Sequence, residues 1–280
     1  MSVSQSKPEP YERGLQLAEA GQSQQALDCI QEYLLQAPDD AEALNDAGAL
    51  LYSLGRLDEA TEHLKQALAH TDGPRAQVLW NLAEVHLDAG RPADVLGLAE
   101  AMDTEGILSA DLLNRTAQGL LAQDDKAGAV EALLRSRALR PDQEALEPIL
   151  DNAKKLRPKI AFFCDSGQTA FVKDTLGYLE PRFATRYFEG TDKRQFIDVL
   201  NWCDIAWFEW CTGQVVFASQ LPKVCRSVVR LRRYEAYAPW PQQVQWENID
   251  VLALNGNHIV RERLRSTVPD IEQRTRIVEI

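Results

Sequence analysis

The spacing of apolar residues divides the chain into two parts. Up to about residue 141, apolar residues such as Leu44, Ala47 and Leu51 recur every three or four positions, which predicts amphipathic helices. From about residue 158, short apolar runs alternate with amphipathic stretches, which predicts strands that alternate with helices. We therefore expect a helical region followed by an α/β region.

The helical part repeats its pattern with a period of 34 residues. One set of positions is Gly14, Gly21, Ala26, Ile30, Leu34 and Pro38, and the set one period later is Gly48, Gly55, Ala60, Leu64, Leu68 and Asp72. Small residues such as Gly14 and Ala26 allow two helices to cross closely. Gly21 suits the turn between them, because a left-handed backbone conformation costs glycine little. The pattern thus predicts stacked helical hairpins.

This period and these small residues resemble the tetratricopeptide repeat. Two further units, at residues 76–102 and 110–141, match less closely. Val95 replaces the small residue of the third unit, and Asp124 replaces the turn glycine of the fourth. The resemblance predicts about four repeats wound into a superhelix.

The repeat pattern also sets the expected boundaries. Residues 1–7 are predicted to be a disordered tail, and residues 8–141 the repeat array. Residues 142–157 are predicted to form one more helix, which caps the array or links it to the next domain. The apolar face of that helix would carry Leu146, Ile149, Leu150 and Ala153.

In the tetratricopeptide family, the first helix of each hairpin lines a groove that binds peptides or partner domains. The resemblance therefore implies a protein or peptide ligand. The groove candidates in this sequence are Asn45, Tyr52, Gln77, Trp80, Asn81, Asn114, Arg115 and Gln118. Two roles remain open for Trp80, an aromatic anchor for the ligand or a packing residue between hairpins.

Some members of that family hold a carboxylate with Lys, Asn and Arg on the same face. Asn81 and Arg115 sit at suitable positions. Glu42, Asp46 and Asp111 surround them, however, and would repel an anionic ligand. The acidic surroundings argue against a carboxylate clamp.

Residues 158–280 are predicted to form a layered α/β domain. The predicted strands are residues 159–164, 183–188, 204–210, 226–231, 250–255 and 276–280, and the predicted helices between them are residues 170–179, 192–201, 215–221, 244–248 and 258–265. Strict alternation of strands and helices is typical of a parallel sheet covered on both faces. The expected architecture is a Rossmann-like three-layer domain.

Polar residues follow each predicted strand. In open α/β sheets, ligands bind outside the carboxyl ends of the strands. The binding candidates there are Asp165, Ser166, Gly167, Gln168, Glu189, Glu209, Thr212, Arg232, Arg233, Glu235, Asn255 and Asn257. Such a mixture of acids, bases and amides suits a hydroxylated ligand.

Several catalytic signatures are missing from this half of the sequence. It has no G-x-G-x-x-G after the first strand, no G-x-x-x-x-G-K-[ST] loop and no G-x-S-x-G elbow. His258 is the only histidine there, and it fits the start of a helix better than a catalytic role. Cys211 is more typical of a buried, unreactive thiol than of a reactive one. The arginines at 230, 232 and 233 suit a phosphate ligand and an ion pair equally. No catalytic residue is predicted.

The segments DIAWFEW, CRSVVRLRRYEAY, WENIDVLALNGNHIVRERLR and RIVEI resemble, in this order, the amino-terminal half of a GT-B glycosyltransferase of the group 1 type. The resemblance covers residues 158–280, and Asp250 to Leu264 carries its most distinctive segment. It implies sugar transfer from a nucleotide-sugar, with this half holding the acceptor. Arg232 and Arg233 stand where many members have a histidine, which weakens the match.

Two functions follow from the pair of resemblances. In the first, the chain is the amino-terminal portion of a glycosyltransferase, and it is inactive alone because the family's donor-binding domain would lie beyond Ile280. In the second, the chain is a non-enzymatic tetratricopeptide adaptor with a degenerate ligand-binding domain. The partners would be a protein or peptide and, in the first case, a sugar or glycosylated acceptor.

Composition narrows the classes of partner and compartment. Acidic residues outnumber basic ones about two to one in residues 1–156 and nearly equal them afterwards, which argues against nucleic-acid binding. Five dispersed cysteines form no metal pattern and suggest reduced thiols in the cytoplasm. No apolar run is long enough to cross a bilayer, and the first residues lack a signal-peptide pattern. We expect no metal and no cofactor.

Overall fold

The computed structural model describes residues 9–165, 170–255 and 258–280, with residues 170–174 described by their backbone alone. The chain divides into two compact units, Met1–Glu147 and Pro148–Ile280.

The described part of the first unit contains eight α-helices. They are α1 (Glu9–Glu19), α2 (Ser23–Leu34), α3 (Ala41–Ser53), α4 (Leu57–His70), α5 (Ala76–Asp88), α6 (Pro92–Thr104), α7 (Ala110–Ala122) and α8 (Lys126–Leu139). Consecutive helices pack as four hairpins, α1 with α2, α3 with α4, α5 with α6 and α7 with α8. The predicted series of helical hairpins is confirmed.

The small residues of the repeat lie where the helices of a hairpin cross. A Cβ added to Gly14 would lie 2.7 Å from Cγ1 of Ile30, and one added to Gly48 would lie 2.6 Å from Cγ of Leu64. The turns contain left-handed residues, with φ of +75° at Gly21 and +63° at Asp124. Asp124 therefore takes the conformation of the glycine that it replaces, as aspartate does more readily than most residues.

The predicted capping helix differs from the expectation. A short 3₁₀ turn at Glu144–Leu146 is followed by α9 (Glu147–Leu156), and the chain from Pro148 onward belongs to the second unit rather than to the array. Leu150 and Ala153 are buried, but Ile149 remains 43% exposed. The apolar face of a helix predicts that the helix is packed against another part of the protein, but it does not identify that part.

The second unit contains a six-stranded parallel sheet in its described residues. The strands are β1 (Lys159–Cys164), β2 (Ala184–Glu189), β3 (Ile205–Phe208), β4 (Arg226–Leu231), β5 (Val251–Leu254) and β6 (Arg276–Glu279), in the order β2-β1-β3-β4-β5-β6. The helices are α10 (Ala170–Leu179), α11 (Lys193–Trp202), α12 (Gly213–Ser219), α13 (His258–Thr267) and α14 (Ile271–Arg274). Each predicted strand is present.

One predicted helix is not a helix. The connection from β4 to β5 contains three 3₁₀ turns, Glu235–Tyr237, Trp240–Gln242 and Trp246–Asn248, in place of a helix at residues 244–248. The connection is fixed instead by Trp246, which is fully buried and donates from Nε1 to the carbonyl oxygen of Pro241 at 2.8 Å.

The two faces of the sheet carry different layers. Phe163, Phe188 and Phe208 lie on one face, which is covered by α11, α12 and α13. Ile160 and Phe162 lie on the other, where residues of α10 pack. The strand after β1 in the chain, β2, lies on one side of β1, and the next strand, β3, lies on its other side. A crevice is expected at this switch point, at the carboxyl ends of β1 and β3.

Candidate functional site

The sheet brings the polar candidates to one edge but places them on opposite faces. Successive residues of a strand point to opposite faces. Asp165 therefore lies with Phe163, on the side of α11 and α12, while Glu209 lies with Trp207 on the other side. The predicted polar rim is thus two separate groups. Ser166, Gly167, Gln168 and Asn257 lie outside the described residues.

The first group borders a cavity of about 390 Å³ at the carboxyl ends of β1, β2 and β3. Its walls are mostly apolar, and the residues that line it are Asp165, Phe188, Gly190, Thr191, Lys193, Phe196, Thr212, Gly213, Gln214, Phe217 and Trp240. This volume falls in the range of small-molecule sites. The location is the switch point at which such sheets bind ligands.

Gln214 organises the polar side of this cavity. Its Nε2 donates to the carbonyl oxygens of Cys164, at 3.1 Å, and Gly190, at 3.3 Å, and so ties the ends of β1 and β2 together. The hydroxyl of Thr212 contacts Oδ1 of Asp165 at 3.4 Å. Lys193 is exposed at the edge of the cavity, with Nζ 5.1 Å from the centre of the Phe217 ring.

The second group is a charged cluster around Glu209, which is 3% exposed. Oε1 of Glu209 accepts from Nη1 of Arg230 at 2.9 Å and from Nη2 of Arg232, and Oε2 accepts from Nε1 of Trp207 at 3.0 Å. Nε of Arg230 donates to Oδ1 of Asn255 at 3.3 Å. The sequence left open whether these arginines bind phosphate or form ion pairs, and in the structure both form ion pairs.

The remaining candidates of this half are separated from the cavity. Glu235 is buried, accepts from the backbone N–H of Arg232 through Oε2, and has its pKa raised by burial. Arg233 and Glu189 are exposed. Burial also raises the pKa of the Cys211 thiol, because the side chain is fully enclosed. Cys211 is therefore a structural thiol.

In the first unit, several predicted groove residues bond to one another across repeats. Nδ2 of Asn81 donates to Oδ1 of Asn45 at 3.0 Å, and Nε2 of Gln77 donates to Oδ1 of Asn81 at 3.0 Å. The Tyr52 hydroxyl donates to Asp88 at 2.6 Å. The bonds of Asn81 and Tyr52 link α3 to α5, the first helices of neighbouring hairpins, whereas the Gln77 bond lies within α5.

Arg115 and Asn114 differ from the groove expectation. Arg115 donates two hydrogen bonds to Glu84, at 2.8 and 2.9 Å, so its charge is already countered. Asn114 donates to Gln143 at 2.8 Å and accepts from Ser136 at 2.6 Å. Asn114 thus joins α7 to α8 and the segment after it instead of facing a ligand, because its position on the helix points toward the second helix of the hairpin.

Two groove candidates present accessible side chains. Trp80 is 38% exposed, so part of its indole ring is accessible. Gln118 is exposed and, with Arg115, borders a shallow depression beside α7.

Sequence reasoning missed most of the cavity. Lys193, Gln214, Phe217 and Trp240 were not candidates, although they line it. Gln214 follows directly after the polar turn at Thr212, so the reasoning that selected Thr212 extends to it. Trp240 lies far along the chain in a 3₁₀ turn, and its sequence context carries no signal of a ligand site.

The chain matches no family model and no curated protein. Two solved structures of MamA, a double mutant of the RS-1 protein and residues 41 to the end of the protein from Desulfovibrio magneticus RS-1, are each 16% identical to it. The match to the double mutant covers 54% of this chain and 86% of that chain, with a TM-score of 0.43. The match to the second structure covers 62% of this chain and 97% of that chain, with a TM-score of 0.42. Cut9, in the APC/C Cut9–Hcn1 hetero-tetramer, is 18% identical over 51% of this chain and 29% of its own, with a TM-score of 0.38.

These likenesses, to tetratricopeptide proteins, are distant and carry no function over. Within the described residues, no helix combines the length and the apolar character that crossing a bilayer requires.

Proposed function

We propose that the chain is a scaffold whose repeat array binds a segment of another protein along α1, α3, α5 and α7. The main support is Trp80, a partly exposed aromatic side chain on the helix that also carries Asn81 and Glu84. Exposed tryptophans contribute strongly to protein interfaces. We place this scaffold in the cytoplasm, which the five free thiols favour.

The charge of this face favours a basic segment. The helices α1, α3, α5 and α7 together carry eight acidic and two basic residues. One of the two bases, Arg115, is paired with Glu84. Opposite charges across an interface accelerate association and select partners, so a Lys- or Arg-rich segment suits this face better than an acidic one.

The test compares two exposed hydrophobic residues of the first unit. Trp80→Ala should weaken binding of labelled Lys- and Arg-rich peptides by about tenfold or more in fluorescence anisotropy. Leu35→Ala is the control, because Leu35 is 85% exposed but lies at the end of α2, away from the proposed face. Equal affinities in the two variants, or tighter binding of acidic peptides, would contradict the proposal.

For the second unit, we propose a Rossmann-like ligand-binding module. The pre-formed cavity at the switch point supports this role, since its aromatic walls are already packed.

A second candidate keeps this unit as the acceptor-binding half of a group 1 type glycosyltransferase. It is favoured by the position of Asp165 and Thr212 beside the cavity, where an acceptor hydroxyl would meet a carboxylate. Calorimetric titration with acceptor-type sugars and with nucleotide-sugars tests it. The candidate requires saturable sugar binding that Asp165→Asn weakens, and absence of any sugar binding removes it.

A further inference from the structure

We propose that the cavity at the carboxyl ends of β1, β2 and β3 binds a small compound that joins a flat aromatic ring to hydrogen-bond donors and carries no negative charge. This inference rests on the proposed ligand-binding role of the second unit and specifies the class of its ligand. It departs from the hydroxylated ligand that the sequence suggested, because the walls of the cavity are aromatic.

The aromatic walls are held in place before a ligand arrives. Phe188 and Phe196 are almost fully buried, with ring centres 5.3 Å apart in an edge-to-face arrangement. Phe217 packs edge-to-face on Phe196, also at 5.3 Å. Aromatic rings favour edge-to-face and offset contacts with one another, so such a wall is suited to one more ring.

Trp240 supplies a further ring beside Gly213. A Cβ on Gly213 would lie 3.7 and 3.8 Å from Cζ3 and Cη2 of Trp240. Since Gly213 has no side chain, this part of the indole ring is not covered from that direction. Trp240 and Phe217 are both only partly buried, which leaves ring surface for a ligand.

Two side chains of the cavity, Gln214 and Asp165, present hydrogen-bond acceptors. Nε2 of Gln214 donates its two amide hydrogens to the carbonyl oxygens of Cys164 and Gly190. Its Oε1 therefore remains to accept a hydrogen bond from a ligand. Asp165 adds a carboxylate. A ligand with hydroxyl or amino groups matches these acceptors.

The local charge disfavours an anion. The carboxylate of Asp165 lies at the wall of the cavity and would repel an anionic ligand. Lys193 contributes a positive charge only at the exposed edge, where solvent screens it. A neutral or cationic ligand is therefore favoured over a carboxylate or phosphate.

Three indoles with the same ring test the proposal on the full chain by calorimetry and ligand-observed NMR. Tryptamine presents an amine, tryptophol a hydroxyl and indole-3-acetate a carboxylate. We expect tryptamine and tryptophol to bind saturably, and indole-3-acetate to bind about tenfold more weakly or not at all. Tryptamine should bind more tightly than tryptophol, because its ammonium group meets the carboxylate of Asp165, and Asp165→Asn should remove this preference.

Matched variants locate the site. Phe217→Ala should weaken both ligands, and Gly213→Ala should do so with less risk to the fold, because its Cβ makes ordinary contacts. Tyr187→Ala is the control, since Tyr187 is an exposed aromatic residue of β2 next to Phe188 on the opposite face of the sheet.

Each contrary outcome is informative. Equal binding of the three indoles, or equal losses in Phe217→Ala and Tyr187→Ala, overturns the proposal. If sugars bind and indoles do not, the ligand-binding role of the unit stands and the aromatic class falls. If neither class binds, both proposals fall.

Discussion

The two units use their polar side chains in different ways. In the first unit, Asn45 bonds to Asn81 and Tyr52 bonds to Asp88, and each pair joins equivalent parts of neighbouring repeats. In the second unit, residues from β3 and from the end of β4 converge on the single carboxylate of Glu209. A repeat array distributes its polar contacts along a surface, because each hairpin meets only its neighbours. A parallel sheet concentrates them where the strands end.

This comparison predicts that one substitution in the second unit has the largest effect. Glu209→Gln leaves the guanidinium groups of Arg230 and Arg232 without their shared counter-charge. Removing one partner of a buried ion pair costs about 3–5 kcal/mol. We expect about 2–3 kcal/mol here, because the arginine side chains are 27% and 21% exposed.

Urea unfolding followed by the fluorescence of the tryptophans in the second unit measures this loss. Glu272→Gln is the control, because Glu272 also pairs with two arginines, Arg261 and Arg265, but lies at the surface. We expect no measurable change in stability for the control. An equal loss in both variants would show that burial does not distinguish the two clusters.

A pair of glycines tests the close packing of the first unit. Gly48→Ala places a Cβ 2.6 Å from Cγ of Leu64, and overpacking of this kind costs about 1–3 kcal/mol. Gly97→Ala in α6 meets nothing within 4 Å and should instead stabilise its helix by up to about 1 kcal/mol. The opposite signs would be read from far-UV circular dichroism during urea unfolding. A loss of stability in both variants would argue against the close crossing at Gly48.

The smallest effect is a pH dependence of opposite sign in the two units. Burial lowers the pKa of His86 in the first unit, although Asp94, 3.6 Å away, acts in the other direction. The unfolded chain then binds the proton more readily, so stability falls as pH drops below the ordinary histidine pKa of about 6.5. Burial raises the pKa of Glu235 in the second unit, so its contribution is full below about pH 4 and is lost as pH rises through the folded pKa.

His86→Gln should flatten the acid limb of the first unit, and Glu235→Gln should flatten the loss of stability of the second unit at higher pH. Each unit of pKa difference corresponds to about 1.4 kcal/mol. Stability curves between pH 4 and 8, recorded with separate signals for the two units, check both slopes. Slopes of the same sign that survive both substitutions would exclude these two residues as their source.

Local patterns predicted most of the fold. The residues from Ile160 to Cys164 are all apolar, and β1 forms with the expected bounds, Lys159–Cys164. The 34-residue period placed Gly14 and Gly48 at the helix crossings, because sterics at those positions repeat with the sequence. The helix predicted at 244–248 was wrong, because Val244 and Trp246 are buried in an irregular connection of 3₁₀ turns and not along one face of a helix.

The candidate site was less predictable, because it depends on contacts between distant segments. Asp165 and Thr212 were found, since strand ends can be located from sequence. The division of the rim between two faces follows from the alternation of residues along each strand, and applying it would have separated Asp165 from Glu209. Trp240 reaches the cavity only through the irregular connection after β4, which no periodic pattern describes.

The strand order also has a consequence for the way in which the chain folds. Each hairpin of the first unit closes within a few tens of residues, whereas β1 pairs with β3 through residues such as Ile160 and Ile205. Contacts between nearby residues form faster than contacts that require long loops to close. During synthesis, the four hairpins emerge and become able to close before β3 exists. Formation of the sheet is therefore expected to be the slow step of folding. Until β3 is available, the apolar strand β1 lacks its second neighbour in the sheet.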